Sequence, residues 1–543
     1  MDHPSGSMRK IYHAIEYYPH YVGYDLGPDY FPTKDQHAQE PIGEIPQVEH
    51  TFAYHDASFA VMNEHNLAIG ESTCNSAVVH RSRGTALFNM VSLVQIAMER
   101  CKTARCAVEL IGELAVKYGF YGMLLEYPGE ALHVGDKEEV WSFHVLPDPS
   151  GKSAIWVAKR VPDEEISVMA NVFTISEVNV TDKANYLASE NLFSVASEMG
   201  WWTPGEPFSF TKTYGGSEVE PFHKYYGGRR MWRALHLIRP SLNLSPWYRN
   251  LSDSPYPWSV KPEKLVSVRD VMHWHRDYLQ GTQFDMTKGM AAGPFGSPDR
   301  FNTDGEPTFH MRSITIYRAA YVHVQQMGGH SGLSGVTWFA AGPAHYAPFL
   351  PVPSGINQSL TPLNHYMTQH SLTGSMSWAI SNVMTVCQAR FDKMHPVVVQ
   401  KQKQVEDAAA ILVQRAGQED LANLSSTFAS HARDVLSDWW LLSKYLLFRF
   451  KANNDIEKGV SDLGYPKAWL DVVAMEHELK TKTMTTKKDD INVSWSSVFL
   501  GVSIGVLLMP CTRAFARLEF TLPAHCNFLH RETSTASQSL LRQ

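Results

Sequence analysis

A chain of 543 residues, 44% hydrophobic and 11% aromatic, has apolar side chains enough for one large core or two to three domains. Its 48 basic residues against 55 acidic ones give a net charge of −7, spread without long like-charge blocks, which excludes the electrostatic footprint of a nucleic-acid binder. The six cysteines, Cys74, Cys101, Cys106, Cys387, Cys511 and Cys526, include no CxxC pair and no Cys/His spacing suited to structural zinc, so they declare neither a metal centre nor a redox compartment.

In chain order, the first ten residues have no basic start followed by an apolar run and so do not form a signal peptide. Residues 8–49, rich in Tyr, Pro and Gly, read as an irregular approach. Phe52 to Cys74 alternates apolar and polar residues, predicting two short strands joined at Asn63-Glu64-His65-Asn66. That hairpin ends in Gly70-Glu-Ser-Thr-Cys74, a polar strand end suited to lining a pocket. Cys74 itself reads first as a small buried hydrophobe. A helix is expected over Thr85–Arg100 and a second from an N-cap at Thr103 to a stop at Gly119. Strands follow at 139–147 and 154–162 around the turn Asp148-Pro-Ser-Gly-Lys-Ser153, then at 166–175, where Asn171 interrupts an apolar run.

Further helices are expected at 189–199, after Tyr225-Tyr-Gly-Gly-Arg-Arg-Met-Trp232, and behind Ser267. His273 and His275, two apart on that last helix, point to different faces and do not suit joint metal ligation. Residues 314–324 and 335–339 read as strands, and 396–450 as long helices. Residues 491–512 hold no charged side chain, include VFLGVSIGVLLM with the pair Gly501 and Gly505, and reach the length that spans a bilayer core. A transmembrane helix is therefore expected there, with a linker at 481–490 before it and a polar tail at 513–543. Six Asn-x-Ser/Thr sequons, at Asn179, Asn243, Asn250, Asn357, Asn423 and Asn492, fit a lumenal or extracellular location for the body of such a membrane-anchored chain.

The chain has no HExxH, Walker A or GxGxxG motif, and His330-Ser331-Gly332 misses the GxSxG elbow, so no cofactor or metal is expected. By contrast, His50-Thr-Phe-Ala-Tyr, Met62-Asn-Glu-His, Gly70-Glu-Ser-Thr-Cys, Ile96-Ala-Met-Glu-Arg, Val145-Leu-Pro-Asp-Pro-Ser-Gly, Trp156-Val-Ala-Lys-Arg-Val-Pro-Asp, Tyr225-Tyr-Gly-Gly-Arg-Arg-Met-Trp and Gly293-Pro-Phe-Gly-Ser-Pro-Asp-Arg occur in sequence. Together these blocks, over about residues 7–396, resemble the cysteine dipeptidases of the dipeptidase A type, N-terminal-nucleophile hydrolases.

The resemblance implies an α+β fold, an αββα four-layer sandwich over 1–395; beyond it the helical patterns are read as an extension at 396–480. It implies a dipeptide or short-peptide substrate and a thioester acyl-enzyme formed by a cysteine at the mature N-terminus. The family's opening Cys-Thr-Thr strand lies upstream of Ser7, so the nucleophile is expected to be absent from this chain as written. The missing strand is expected to leave an unpaired sheet edge. Arg300 resembles the arginine placed near the nucleophile in such hydrolases, or else braces its loop. Asn171 resembles an oxyanion- or substrate-binding asparagine, or else satisfies nearby backbone. Ser72 and Thr73 border the pocket as substrate-binding residues. The rival reading is a non-catalytic, membrane-tethered peptide-binding or interaction protein, and a third is a scaffold in which 491–512 packs as a core helix.

Overall fold

The computed structural model describes residues 1–12, 41–57, 59, 61–78, 85–122, 127–216, 225–248, 255–301, 312–328, 333–356, 360–364, 373–416 and 421–475. Contacts divide the chain into Met1–Tyr465 and Pro466–Gln543, and all elements below lie in the first unit.

Strands β1 (Met8–Ile11) and β2 (Gly43–Pro46) pair with each other. The main sheet is built from β3 (Tyr54–His55), β4 (Met62–Asn63), β5 (Ala68–Cys74), β6 (Gly129–Gly135), β7 (Val140–Pro147) and β8 (Ala154–Arg160). A short β9 (Ile166–Ser167) leaves it, and β10 (Tyr186–Ala188) returns, giving seven antiparallel strands in the order β10-β8-β7-β6-β5-β4-β3. β9 pairs with β11 (Ser259–Val260), and β12 (Val322–Met327), β13 (Gly335–Ala340) and β14 (Leu350–Pro353) form a three-stranded sheet.

The β4–β5 hairpin turns where the sequence predicts it, at Asn63 to Asn66, with Asn66 in the left-handed region at φ 65°. Asn63 fixes the turn. Its Oδ1 accepts the N–H groups of His65 and Leu67 at 3.0 Å, and its Nδ2 donates to Met98 O at 3.0 Å and Cys101 O at 2.8 Å.

Those carbonyls end helix α1 (Met90–Arg100), whose N-cap is Asn89. A disulfide, Cys101–Cys106, which the cysteine spacing did not declare, bridges α1 to α2 (Ala104–Tyr118). Thr103 caps α2 and Gly119 ends it, as the sequence predicts. Both helices cover one face of the main sheet, packing Leu93, Val108 and Ile111 with Leu132, Trp141, Phe143 and Trp156. The approach is close at Gly112, where a Cβ would stand 2.2 Å from the Trp156 ring.

The opposite face of the sheet buries Cys74, Ala131, Leu146, Ile155 and Val157 under Phe173, Ile175, α3 (Leu192–Glu198) and α4 (Phe210–Tyr214). Helices α5 (Gly228–Ile238), α6 (Val268–Trp274) and α7 (Thr361–Asn364) are short. The three-stranded sheet carries α8 (Met376–Gln388), α9 (Phe391–Arg415) and α10 (Leu421–Arg449) on a separate core around Trp338, Tyr346, Phe349 and Trp439.

Several expectations are corrected. The strand expected over 166–175 stops at Ser167, because Asn171 adopts φ 60° and turns the chain out of extended geometry. The strand expected from residue 314 begins only at Val322, since Thr315 N–H is held by Asp277 O at 3.0 Å. The architecture is a mixed α/β fold with several sheets, in place of the expected αββα sandwich with a membrane helix. Among the described residues the second-largest sheet has three strands, and much of the main sheet's second face is covered by short helices and irregular chain. Among the described residues no helix is long and apolar enough to cross a membrane, and residues 491–512 lie outside them. Membrane anchoring, and the lumenal location inferred with it, are withdrawn on that finding.

Candidate active site

Strand β5 delivers the polar residues predicted at its end. Its register against β6, with Thr73 opposite Glu130 and Ser72 opposite Ala131, sends Glu71, Thr73 and Glu130 to one face and Ser72 and Cys74 to the other. Ala68, Ile69 and Cys74 are buried, whereas the four residues between Ile69 and Cys74 are all partly open to solvent. The opening follows from the topology, because β4 reaches only Ala68.

Asn171 closes on this strand from 98 residues away. Its Nδ2 donates to Thr73 O at 2.6 Å, and its backbone N–H donates to Ser72 Oγ at 2.9 Å. Its own Oδ1 accepts from Arg230 Nη2 at 2.6 Å. The left-handed backbone is what lets main chain and side chain both face β5, and asparagine is among the few residues that tolerate it. Arg230 leaves the first turn of α5, where Nε donates to Tyr226 O at 2.9 Å and the guanidinium lies 4.6 Å from the Tyr226 ring centroid. Arg230 is therefore a fixed cation that orients the Asn171 amide.

The carboxyl groups beneath form a second feature. Glu71 hydrogen-bonds Glu130 and accepts from Thr73 Oγ1 at 2.9 Å. Two carboxyls bond to each other only when a proton lies between them. Burial raises the Glu71 pKa accordingly, while its bonds from Glu130 and Thr73 work the other way. Cys74 is fully buried, with its thiol directed at Ser72 O, 3.2 Å away. Burial, then the Glu130 and Glu71 carboxylates, push its pKa well above the normal thiol value, against the opposing charge of Arg230. A thiol so held stays protonated and is no nucleophile.

Arg300, the other predicted residue, sits apart from this constellation by its bonds. Its guanidinium donates to Ser297 O at 2.7 Å, to Asp299 O at 3.1 Å and to Met286 O, all carbonyls of its own loop region. The neighbouring Asp299 anchors that loop, accepting from Tyr346 OH at 2.8 Å and pairing with His345 Nε2 at 3.1 Å. The structure thus brings together Ser72, Thr73 and Asn171. It adds Glu71, part of the predicted polar strand end but not named as a site residue, and Arg230 and Glu130, which sequence patterning did not single out. Alternation with Thr73 was a signal for Glu71; nothing in periodicity pointed to Arg230.

The described residues contain no cluster of three or more His, Cys, Asp or Glu side chains placed to hold a metal ion. The model of peptidase family C69 matches residues 48–404, a span that contains every residue of this constellation. The chain belongs to peptidase family C69. Among the relatives it matches, a probable dipeptidase of Latilactobacillus sakei is 24% identical over 270 residues, 49% of this chain and 50% of the relative. Dipeptidase A of Lactobacillus helveticus is 23% identical over 260 residues, 48% of each chain. A dipeptidase of Bifidobacterium longum is 26% identical over 361 residues, 62% of this chain and 60% of the relative. The chain spans about half the length of the first two of these relatives.

Proposed function

We propose that this C69 chain is a dipeptidase, a cysteine-type exopeptidase of the N-terminal-nucleophile class, and that its substrate binds at the open end of β5. The observation that carries the reading is the Ser72–Asn171–Arg230 constellation, which aims a fixed amide at a partly open polar strand within the span that matches the family. In this reading Asn171 Nδ2, which has a second hydrogen beyond the one given to Thr73 O, steadies the oxyanion of the attacked carbonyl. Arg230 keeps that amide turned the right way, since its donor to Oδ1 fixes Nδ2 on the opposite side. Ser72 and Thr73 line the substrate's path, and Arg300 stiffens the neighbouring loop.

The nucleophile is a separate matter. Cys74 and Cys387 are buried thiols with raised pKa values, and Cys101 and Cys106 are joined to each other, so no described cysteine offers a thiolate. That observation favours a second reading, a peptide-binding protein that does not hydrolyse what it holds.

Incubating the full chain with a panel of dipeptides, and following both release of free amino acids and heat of binding, separates the two. Hydrolysis that falls on Asn171→Gly substitution supports the dipeptidase. Binding without hydrolysis supports the second reading, and neither signal removes both.

A further inference from the structure

Arg312 lies in irregular chain whose next residues are tied down. Ser313 Oγ donates to Thr315 O at 2.6 Å, Thr315 N–H goes to Asp277 O at 3.0 Å, and both side chains are buried. From that base the Arg312 guanidinium reaches the Tyr226 ring, 4.8 Å from its centroid. Arg230, which orients the Asn171 amide, meets the same ring at 4.6 Å, so the two guanidinium carbons are under about 10 Å apart. Tyr226 is itself buried, and its ring is a fixed spacer for both.

The other arginines of this region are matched. Arg230 donates to Asn171 Oδ1 and Tyr226 O, Arg233 forms a two-pronged pair with Asp277, and Arg300 gives its donors to loop carbonyls. Arg312 has neither a carboxylate nor a carbonyl partner among the described residues, and its Nε is closed off from solvent without one. Burial, and then the like charge of Arg318, lower its pKa to about 10, which still leaves it charged at neutral pH. A cation drawn out of water beside a charge of its own sign is costly, and an anion set against it removes that cost. The residue is only half-buried, so an anion from solution reaches it.

We infer that Arg312 binds the free C-terminal carboxylate of the dipeptide, an assignment that rests on the reading of Asn171 as the oxyanion donor. A dipeptide carries a carboxylate one residue past its scissile carbonyl, and a planar guanidinium takes a carboxylate through two parallel bonds. The two carbons concerned are about 3–4 Å apart. A hydrogen bond at each end brings the span between donors to the order of 10 Å, the scale on which the Tyr226 ring holds Arg312 from Arg230 and its amide. A longer peptide puts its carboxylate beyond that reach and leaves Arg312 without its partner, so the same residue selects for length.

The test compares Ala-Ala with its C-terminal amide, Ala-Ala-NH2, on the full chain, reading hydrolysis and heat of binding together. The wild type favours the free carboxylate by about 10- to 100-fold, the worth of a charge-assisted pair. Arg312→Gln weakens the carboxylate probe alone and brings the two level, while Arg312→Lys keeps part of the preference. Asn171→Gly slows turnover of both probes alike and leaves their ratio unchanged. A wild type that takes both probes equally, a preference that survives in Arg312→Gln, or a loss in that variant equal for both probes overturns the assignment and leaves the dipeptidase reading standing. A wild type that neither binds nor cleaves either probe overturns the assignment together with the reading beneath it. The wild-type ratio and the lysine variant decide the outcome where the glutamine variant does not fold.

Discussion

Two polar clusters, built from similar residue types, differ in how completely their groups are satisfied. Around Asp299 everything is closed: His345 and Tyr346 bond its two oxygens, Thr315 Oγ1 meets His345 Nδ1 at 2.8 Å, and His395 Nε2 holds His345 O at 2.8 Å. All five side chains are buried. At the end of β5, Ser72, Thr73, Asn171 and Arg230 are bonded just as specifically, yet the strand residues from Gly70 to Thr73 stay partly exposed. A saturated buried network specifies packing, whereas an oriented network with spare donors beside solvent is a binding surface. Burial alone does not separate the two, because Cys74 and Glu130 are as buried as His345.

The largest effect that sharpens this contrast is one of stability. Asp299→Ala leaves His345 and the Tyr346 hydroxyl without their shared acceptor, and removing one member of a buried, charged network costs about 3–5 kcal/mol. Urea unfolding measures it, and a loss below about 1 kcal/mol would show that the cluster is not a closed structural element. The acid dependence carries a sign. Burial works to raise the Asp299 pKa, but the hydrogen bonds and charge of His345, with Tyr346 and Gln388, outweigh it and hold the pKa below the usual carboxylate value. Its contribution is therefore full above the unfolded value of about 3.9 and is lost as pH falls through the folded one. Asp299→Asn should flatten that acid limb.

At β5 the expected loss is functional. Asn171→Gly keeps the φ 60° backbone at no steric cost and removes only the amide. Turnover of dipeptides should fall by about 10²–10³-fold, the usual effect of deleting an oxyanion donor, while the unfolding midpoint moves little. A variant with unchanged turnover would take Asn171 out of the chemistry and return it to a backbone-satisfying role. Arg230→Lys is expected to be smaller, on the order of tenfold, because a single ammonium cannot hold Tyr226 O and Asn171 Oδ1 together in the geometry of a guanidinium fork. A drop in kcat with KM preserved is the pattern for a residue that only positions Asn171.

What the sequence made legible was local. The Asn63–Asn66 turn, the Thr103 and Gly119 ends of α2 and the Ser267 capping box rest on neighbours within a few residues, and the structure has them where capping and turn chemistry predict. The strand expected over 166–175 failed because apolar content does not register that Asn171 is pulled out of line by Ser72 and Thr73, far away in the chain. The same distance hid Arg230, which is 59 residues from the amide it orients. Ser72, Thr73 and Asn171 were named from resemblance to a family; periodicity placed Ser72 and Thr73 at a strand end, but only the fold shows that the three share hydrogen bonds.

The smallest expected effect tests whether the β5 end carries a shared proton. Glu71 bonds Glu130 and Thr73, with Cys74 on the same strand and Arg230 on α5 as the other groups whose charge bears on this corner. Burial, the largest influence, raises the Glu71 pKa, so the folded chain keeps a proton that the unfolded chain gives up near pH 4.3. The sign then follows: the stabilising contribution is full below about pH 4.3 and is lost as pH rises through the folded value. Glu71→Gln supplies a permanent N–H donor to Glu130 in place of the shared proton and removes that loss. The variant should match the wild type near pH 4 and unfold at a higher temperature near pH 8. A difference in melting temperature that stays constant from pH 4 to pH 8 would mean that both carboxyls are ionised in the fold, and that the site presents two negative charges to whatever binds beside β5.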